Sequence, residues 1–271
     1  ASEMKFSTYR LDSAVDFEKR YAAQSRMDVV SKSFTRVAQE IMLKQEDTSA
    51  SLILGSLIGA STNGRKHFNK ASGTSIILDD FNKLLTLAKR INTAWTGGTP
   101  ENRIKGITDL IVSPEVVQGL REMAYNPINT KDSGGGATSA GNPPVAATDE
   151  MRNAIYANAG IPEFYGISIM EINELGPNQK FNKVYQALGG KTTGSTAFDA
   201  TTDDILIGID KSRESLFRAV ATDSETGGEF SLVADDQYSV RQQKIGYFGS
   251  LEEGRMVLDD RVLTGLTIDA A

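Results

Sequence analysis

Apolar residues recur at helical spacing through the first part of the chain. Between Leu11 and Gln45 the larger apolar positions are Val15, Tyr21, Val29, Val30, Phe34, Val37, Ile41 and Met42. Val30, Phe34, Val37 and Ile41 follow one another at steps of 4, 3 and 4, the repeat of one helix face. Asp12 or Ser13 can cap the start, and neither Pro nor Gly interrupts the run. The spacing predicts a helix over Leu11–Gln45, about 50 Å long at 1.5 Å per residue, with a break near Ser25 into two helices as the alternative. A rod of that length exceeds the usual three turns and cannot be surrounded by a small domain, so a flattened or elongated molecule is expected.

Beyond it, Leu52 to Ile58 is apolar, with Gly55 inside the run and Gly59 just after it, and Ser61 to Gly73 reads as a polar loop. Leu78 to Trp95 predicts a second amphipathic helix, with Phe81, Leu84, Leu85, Ala88 and Ile91 on one face and Asp79 or Asp80 at its start. Ile107 to Val112 reads as a short strand. Ser113-Pro114-Glu115 supplies a cap, an N1 proline and a first-turn acid for a helix over Glu115 to Ala124.

Lys131 to Ala147 is rich in Gly, Ser, Ala and Pro and predicts an exposed, mobile loop. Strands are expected over Phe164 to Ile172, entered through Gly160-Ile161-Pro162, and over Ile205 to Ile209, continued by an apolar stretch through Phe217 to Val220. Thr222 to Glu229, holding Gly227-Gly228, predicts a hairpin turn. The tail alternates at Tyr238, Val240, Ile245, Tyr247 and Phe248, then at Met256 to Leu258 and Val262 to Ile268, so the last third is mostly β.

Composition narrows the chemistry. The 271 residues allow one large domain or two modest ones, and 39% hydrophobic with 24% charged residues excludes global disorder. Lys plus Arg is 29 and Asp plus Glu is 35, a net charge of −6, which lacks the basic excess of a dedicated duplex binder. Cysteine is absent and His67 is the only histidine, which excludes disulfides, thiolate metal sites, cysteine nucleophiles and any Ser-His-Asp triad away from His67. No stretch approaches a membrane span and ASEMKFSTYR lacks a signal peptide's apolar run, so a soluble protein is expected. The numbering starts at Ala1 rather than Met, and residues upstream are an open possibility.

Several motifs touch on chemistry. Gly189 to Gly194, GGKTTG, resembles the end of a phosphate-binding loop, but the glycine required at position 185 is Tyr185, so a flexible loop is expected. Gly134, Gly135, Gly136 and Gly141 miss the dinucleotide spacing, because Ser139 stands where the third glycine belongs. Adjacent acids occur at Asp79-Asp80, Asp203-Asp204, Asp235-Asp236, Glu252-Glu253 and Asp259-Asp260. Sequence neighbours diverge on a helix and point to opposite faces of a sheet, so caps, turns and solvated edges are expected of them rather than acid–base catalysis. His67, in RKHFNK, reads as part of a basic surface loop, and Trp95 as a core or interface anchor. No catalytic, cofactor-binding or metal-binding residue is assigned.

In order, four segments resemble the major capsid proteins of tailed double-stranded DNA bacteriophages, the HK97-type fold: ITDLIVSPEVVQGLREM (Ile107 to Met123), GIPEFYGISIMEINELG (Gly160 to Gly176), DDILIGIDKSRESLFRAV (Asp203 to Val220) and YSVRQQKIGYFGSLEEGRMVLDDRVLTGLTI (Tyr238 to Ile268). The helix of Leu11–Gln45, running into KQED at Lys44 to Asp47, resembles the family's long spine helix. The resemblance implies an α+β fold with a peripheral and an axial domain. Its divisions would be residues 1–10 as a remnant of an extended loop or N-terminal arm, 11–75 and 238–271 as the peripheral domain, and 76–237 as the axial domain. Lys5 to Tyr9 would be the descending strand of the extended loop. It further implies a non-enzymatic shell subunit without cofactors, assembling with itself as pentamers and hexamers around double-stranded DNA in the virion capsid, made in the host bacterial cytoplasm. Portal and decoration proteins would be further partners, DNA contact would be weak and nonspecific, and no membrane is involved. The Gly-rich loop would lie in the axial domain. The alternatives are an encapsulin-like cargo compartment, and an intracellular α+β enzyme or binding module using acids such as Asp203 or Asp235.

Overall fold

The computed structural model describes residues 7–20, 28–62, 64–95, 106–123, 163–193, 196–222, 228–235 and 243–269. The Lys131–Ala147 loop, the Gly160-Ile161-Pro162 entry and the side chain of Trp95 lie outside the described residues. The chain divides into two compact units, residues 1–52 with 216–258 and residues 53–215 with 259–271. These boundaries differ from those expected above. The last strand belongs with the second unit, and residues 216–237 belong with the first.

The long helix lies further along the chain than expected. Tyr9–Glu18 is a strand, β1, and the helix, α1, runs over Asp28–Gly59. In YRLDSAVDFE the half-buried positions Tyr9, Leu11, Ser13, Val15 and Phe17 alternate with exposed ones, a period of two that a helix could not satisfy. At the other end, Leu52 to Ile58 continues α1, because Leu54 and Leu57 are fully buried. The apolar face of α1 is thus as long as expected and displaced toward the C-terminus.

In the first unit, the 14-residue strand β13 (Lys244–Val257) pairs antiparallel with three strands. β1 takes Lys244 to Glu253, β12 (Phe230–Asp235) takes Gly246 to Leu251, and β11 (Leu216–Val220) takes Glu253 to Val257. Because β1 shares β13 partners with both of the others, β11 and β12 lie end to end along the opposite edge. The Thr222–Glu229 segment therefore does not close a hairpin between paired strands, as its glycines suggested. Val37 and Ile41 of α1 pack on Leu251, with Leu11, Val15 and Val220 around them. Phe34 meets the Tyr247 ring edge-on at 4.6 Å. A Cβ at Gly249 would lie 2.7 Å from the Phe230 ring, so a side chain there would have to displace that ring.

The second unit is built on a six-stranded sheet in the order β4-β14-β10-β5-β7-β6. The strands are β4 (Phe68–Lys70), β14 (Leu263–Ile268), β10 (Asp204–Ile209), β5 (Asp109–Val112), β7 (Ile167–Glu171) and β6 (Glu163–Phe164). β4–β14 and β5–β7 pair in parallel, the other neighbours antiparallel. The expected strand over Phe164 to Ile172 is thus a tight hairpin, turning at Tyr165-Gly166. Every residue of β10 and β14 is buried, so neither has the one exposed face of a half-buried strand, and the alternation read at Val262 to Ile268 is not one of burial. Helices α2 (Leu78–Trp95) and α3 (Pro114–Met123) cover one face with Phe81, Leu84, Ala88, Val116, Val117 and Leu120. A short helix, α4 (Lys180–Ala187), and two small hairpins, β2–β3 (Ser61–Thr62, Arg65–Lys66) and β8–β9 (Lys191–Thr193, Thr196–Ala197), also belong to it.

Candidate functional site

Glu253 on β13 is fully buried and gathers five side-chain hydrogen bonds. Its Oε1 accepts from Tyr9 Oη at 2.6 Å and Arg255 Nε at 2.9 Å. Its Oε2 accepts from Gln45 Nε2 at 3.0 Å, Arg218 Nε at 2.8 Å and Arg255 Nη2 at 3.2 Å. The register makes this convergence inevitable: Glu253 faces Tyr9 on one neighbour and Val220 on the other, while Arg218 lies directly opposite Arg255. Two guanidinium groups at one cross-strand position would repel each other; the carboxylate between them compensates. Burial pushes the Glu253 carboxyl up, but the bonds from Arg255, Tyr9 and Arg218 outweigh it and hold it at about 2. A carboxylate so fixed has no proton to exchange near neutrality, and it ties together β1, α1, β11 and β13. Glu252, its neighbour, is exposed and accepts from Thr8 Oγ1 at 2.8 Å, the opposite-face arrangement expected of strand neighbours.

Asp203 and Asp204 are both buried. Asp204 accepts from Ser113 Oγ in a short bond, from Ile205 N at 2.7 Å and from Asn182 Nδ2 at 3.4 Å. Burial raises its carboxyl above the usual range despite those bonds. Ser113 Oγ in turn accepts from Val116 N at 3.2 Å, the N-cap that its place before Pro114 predicts. Asp203 accepts from Asp199 N at 2.9 Å. The network fastens β10 to the starts of α3 and α4, and full burial of Ser113 closes it to any substrate.

The remaining motifs resolve into structure. His67 is buried, not on a basic surface loop: Nε2 lies 2.7 Å from Thr62 Oγ1 and Nδ1 3.2 Å from the Asp260 carbonyl. Burial lowers its pKa. The ring meets the 3₁₀ turn Asp260–Val262 at the Asp260 carbonyl, a long-range contact that RKHFNK does not reveal. In GGKTTG, Gly189 N donates to Gln186 O and Gly190 N to Tyr185 O, both at 2.9 Å, with Gly189 at φ +85°. That is a Schellman closure of α4, and a Cβ at Gly190 would lie 2.4 Å from the Tyr185 ring. The glycines therefore serve a helix end, not a phosphate. Asp79 is exposed and pairs with Lys83 at 2.9 Å, while Asp80 is buried and accepts from Ser72 N and Oγ at 3.1 and 2.7 Å. Asp259 caps the 3₁₀ turn by accepting from Arg261 N. Asp236 lies outside the described residues. Among the described residues no three His, Asp or Glu side chains cluster as metal ligands, and no helix is long and apolar enough to cross a membrane.

One surface feature escaped sequence reasoning. An open cleft of about 720 Å³ lies between the β3–β4 segment and α2, with Arg65 and Lys66 on one wall and Lys83 and Arg90 on the other. The steps from Asp79 to Lys83, Thr86 and Arg90 are 4, 3 and 4, so the polar stripe was readable; its meeting with Arg65 and Lys66 was not.

No family model matches the sequence, and no curated protein does. Solved structures are similar over nearly the whole chain. The head of Helicobacter pylori bacteriophage KHP40 has 12% identity and a TM-score of 0.54, covering 98% of this chain and 76% of that one. The capsid of cyanophage Pam1 has 9% identity and a TM-score of 0.56, covering 98% and 76%. The chain has the HK97-type capsid fold. The holo-SrpI encapsulin of Synechococcus elongatus PCC 7942 is similar too, with 13% identity, a TM-score of 0.52 and coverage of 97% and 75%. The Glu253 cluster and the Asp204 network are how this sequence fastens its strands to its helices.

Proposed function

We propose that this protein is a major capsid subunit, assembling with itself as pentamers and hexamers into an icosahedral shell around double-stranded DNA, without catalytic chemistry of its own. The observation that carries the reading is the likeness in fold to the KHP40 head and the Pam1 capsid across 98% of the chain. The polar interior supports it: Glu253, Asp204 and His67 are saturated with internal bonds, as suits a tile that must keep its form. In this reading the first unit is the peripheral domain and the second the axial domain. The virion capsid is its location, and portal and decoration proteins are its further partners. Packaged DNA meets a chain of net charge −6, which keeps contact weak and nonspecific.

A second reading, an encapsulin-like cargo compartment, is favoured by the SrpI likeness. Light scattering followed by electron microscopy of the purified full-length chain tests both. Closed shells tens of nanometres across, on the scale of about ten or more domain diameters, are the expected result. DNA in shells taken from the native source supports the capsid, and enclosed protein supports the compartment. A chain that stays monomeric at every concentration overturns both.

A further inference from the structure

The six-stranded sheet of the second unit has two chemically opposite edges. The basic cleft lies at the β4 edge. Lys83 is neutralised there by Asp79 at 2.9 Å and Asp80 at 3.5 Å. Arg65, Lys66 and Arg90 are exposed and have no ion-pair partner among the described residues; Lys66 Nζ reaches only the Ile58 carbonyl, at 3.5 Å. Three unneutralised cations thus stand together in a chain whose net charge is −6. At the β6–β7 edge, the far side of the same sheet, Glu163 and Glu171 are exposed and likewise have no ion-pair partner among the described residues. From position 163 to 179 the sequence holds three glutamates and neither Lys nor Arg. Glu163 shares the face of its cross-strand partner Ser168 and of Met170, and Glu171 lies on the other face, so the two carboxylates flank the edge; Tyr165, in the turn, and Met170 are 56% and 49% exposed. Tyr165 is held in place at φ +54°, its ring 4.8 Å from that of Phe164 and 5.8 Å from that of Phe81.

We propose that the β6–β7 edge of one copy docks on the basic β4 cleft of a second copy, head to tail. Such a contact uses two different patches of each copy and closes into rings when the rotation permits, and its place in a shell rests on the capsid reading above. Arg65, Lys66 and Arg90 receive Glu163 and Glu171, which sets partner and register. The preformed Tyr165 and the flexible Met170 supply apolar area, as aromatic residues and methionine do at interfaces. A second copy fits the cleft better than nucleic acid. Asp79 on the cleft wall opposes a phosphate backbone, whereas the acidic edge occurs once per cleft in every copy and carries apolar anchors that phosphate contact does not use.

Charge reversal of the full-length chain tests the contact, with circular dichroism and melting confirming that each variant is folded. R65E/K66E/R90E and E163K/E171K should each raise the concentration needed for half-assembly by about a hundredfold or more, because each sets like charges against each other. The variant carrying all five substitutions should assemble again. If either partial variant fails to fold, the neutral sets R65Q/K66Q/R90Q and E163Q/E171Q, with the loss of wild-type association at high ionic strength, give the same reading. Wild-type-like assembly of both partial variants overturns the contact and leaves the capsid reading standing, as does loss that the five-fold variant does not rescue. Intact assembly of the cleft variant with weakened retention of a duplex DNA fragment overturns it in favour of nucleic acid. Open rings that respond to the swap, with no closed shell, support the contact and overturn the capsid reading. A monomeric wild-type chain overturns both.

Discussion

Tyr9 Oη donates to Glu253 Oε1 at 2.6 Å across 244 residues of sequence. The bond joins the first described strand to the central strand of its sheet, at a carboxylate that Arg218 and Arg255 also grip. Removing the charge leaves two guanidinium groups facing each other across the strands. Glu253→Gln should therefore cost about 3 kcal/mol, the lower end for breaking a buried ion pair, because Arg218 keeps water contact. Tyr9→Phe, which deletes one donor, should cost about 1 kcal/mol. Urea unfolding of the two variants checks the ranking; equal midpoints would contradict it.

Acid should act through the same carboxylate. Held at about 2 when folded against an ordinary value of 4.5, Glu253 stabilises the protein fully above the higher figure. That contribution fades as pH falls from 4.5 toward 2. Asp204, whose carboxyl is raised by burial, has the opposite sign and favours the folded state on protonation, so wild type must be compared with Glu253→Gln to isolate the effect. The wild type should lose more stability over that interval than the variant, measured by urea midpoints at several pH values. Parallel curves would sink the assignment.

His67 titrates in its own window. Burial lowers its pKa below the ordinary 6.5, so the unfolded chain takes up the proton first and stability falls as pH drops through 6.5. As the only histidine, it gives a single imidazole signal by NMR, which should remain that of the neutral ring at pH values where a free histidine is half protonated. A midpoint at or above the free value would show that the ring is accessible.

Val37→Asp places a charge in the small core that Val37, Ile41 and Leu251 share. A loss of about 3–5 kcal/mol is expected for an unpaired buried charge, visible as a lowered melting temperature and reduced soluble yield. Wild-type melting would remove Val37 from the buried face of α1.

At the end of α4, Gly189→Ala should cost about 1–2 kcal/mol, because its φ of +85° is unfavourable for a side chain. Lys191→Ala should change stability by less than about 0.5 kcal/mol, since Lys191 joins the turn through its backbone carbonyl, which accepts from Tyr185 Oη. Equal losses at both positions would contradict the helix-closure role of GGKTTG.

Local pattern carried much of this architecture. Helix α2, the Ser113 cap with α3, and strands β10 and β14 stand where apolar spacing and cap residues put them, because each is decided by its own few residues. β1 was misread although Leu11, Val15 and Phe17 alternate with Arg10, Asp12, Asp16 and Glu18. Leu11 and Val15 are also four apart, and only pairing with β13 chooses between the two periods. The Glu253 cluster was missed for a related reason. Tyr9, Gln45, Arg218, Glu253 and Arg255 are unremarkable apart, and only the strand register, with α1 packed on the sheet, brings them to one point. His67 shows the reverse: a basic neighbourhood in sequence conceals an interior ring.

The place of β14 sets a timetable for folding. β4 pairs in the six-stranded sheet only with β14, and the Thr267 hydroxyl reaches the Asn69 carbonyl across 198 residues. At about 5–20 residues per second of synthesis, β4 waits for its neighbour for roughly 10 to 40 seconds on the ribosome. The first unit waits as well, since β1 finds β13 only after residues 19–243 have been made. Neither sheet can therefore close until the last strands of the chain have been made.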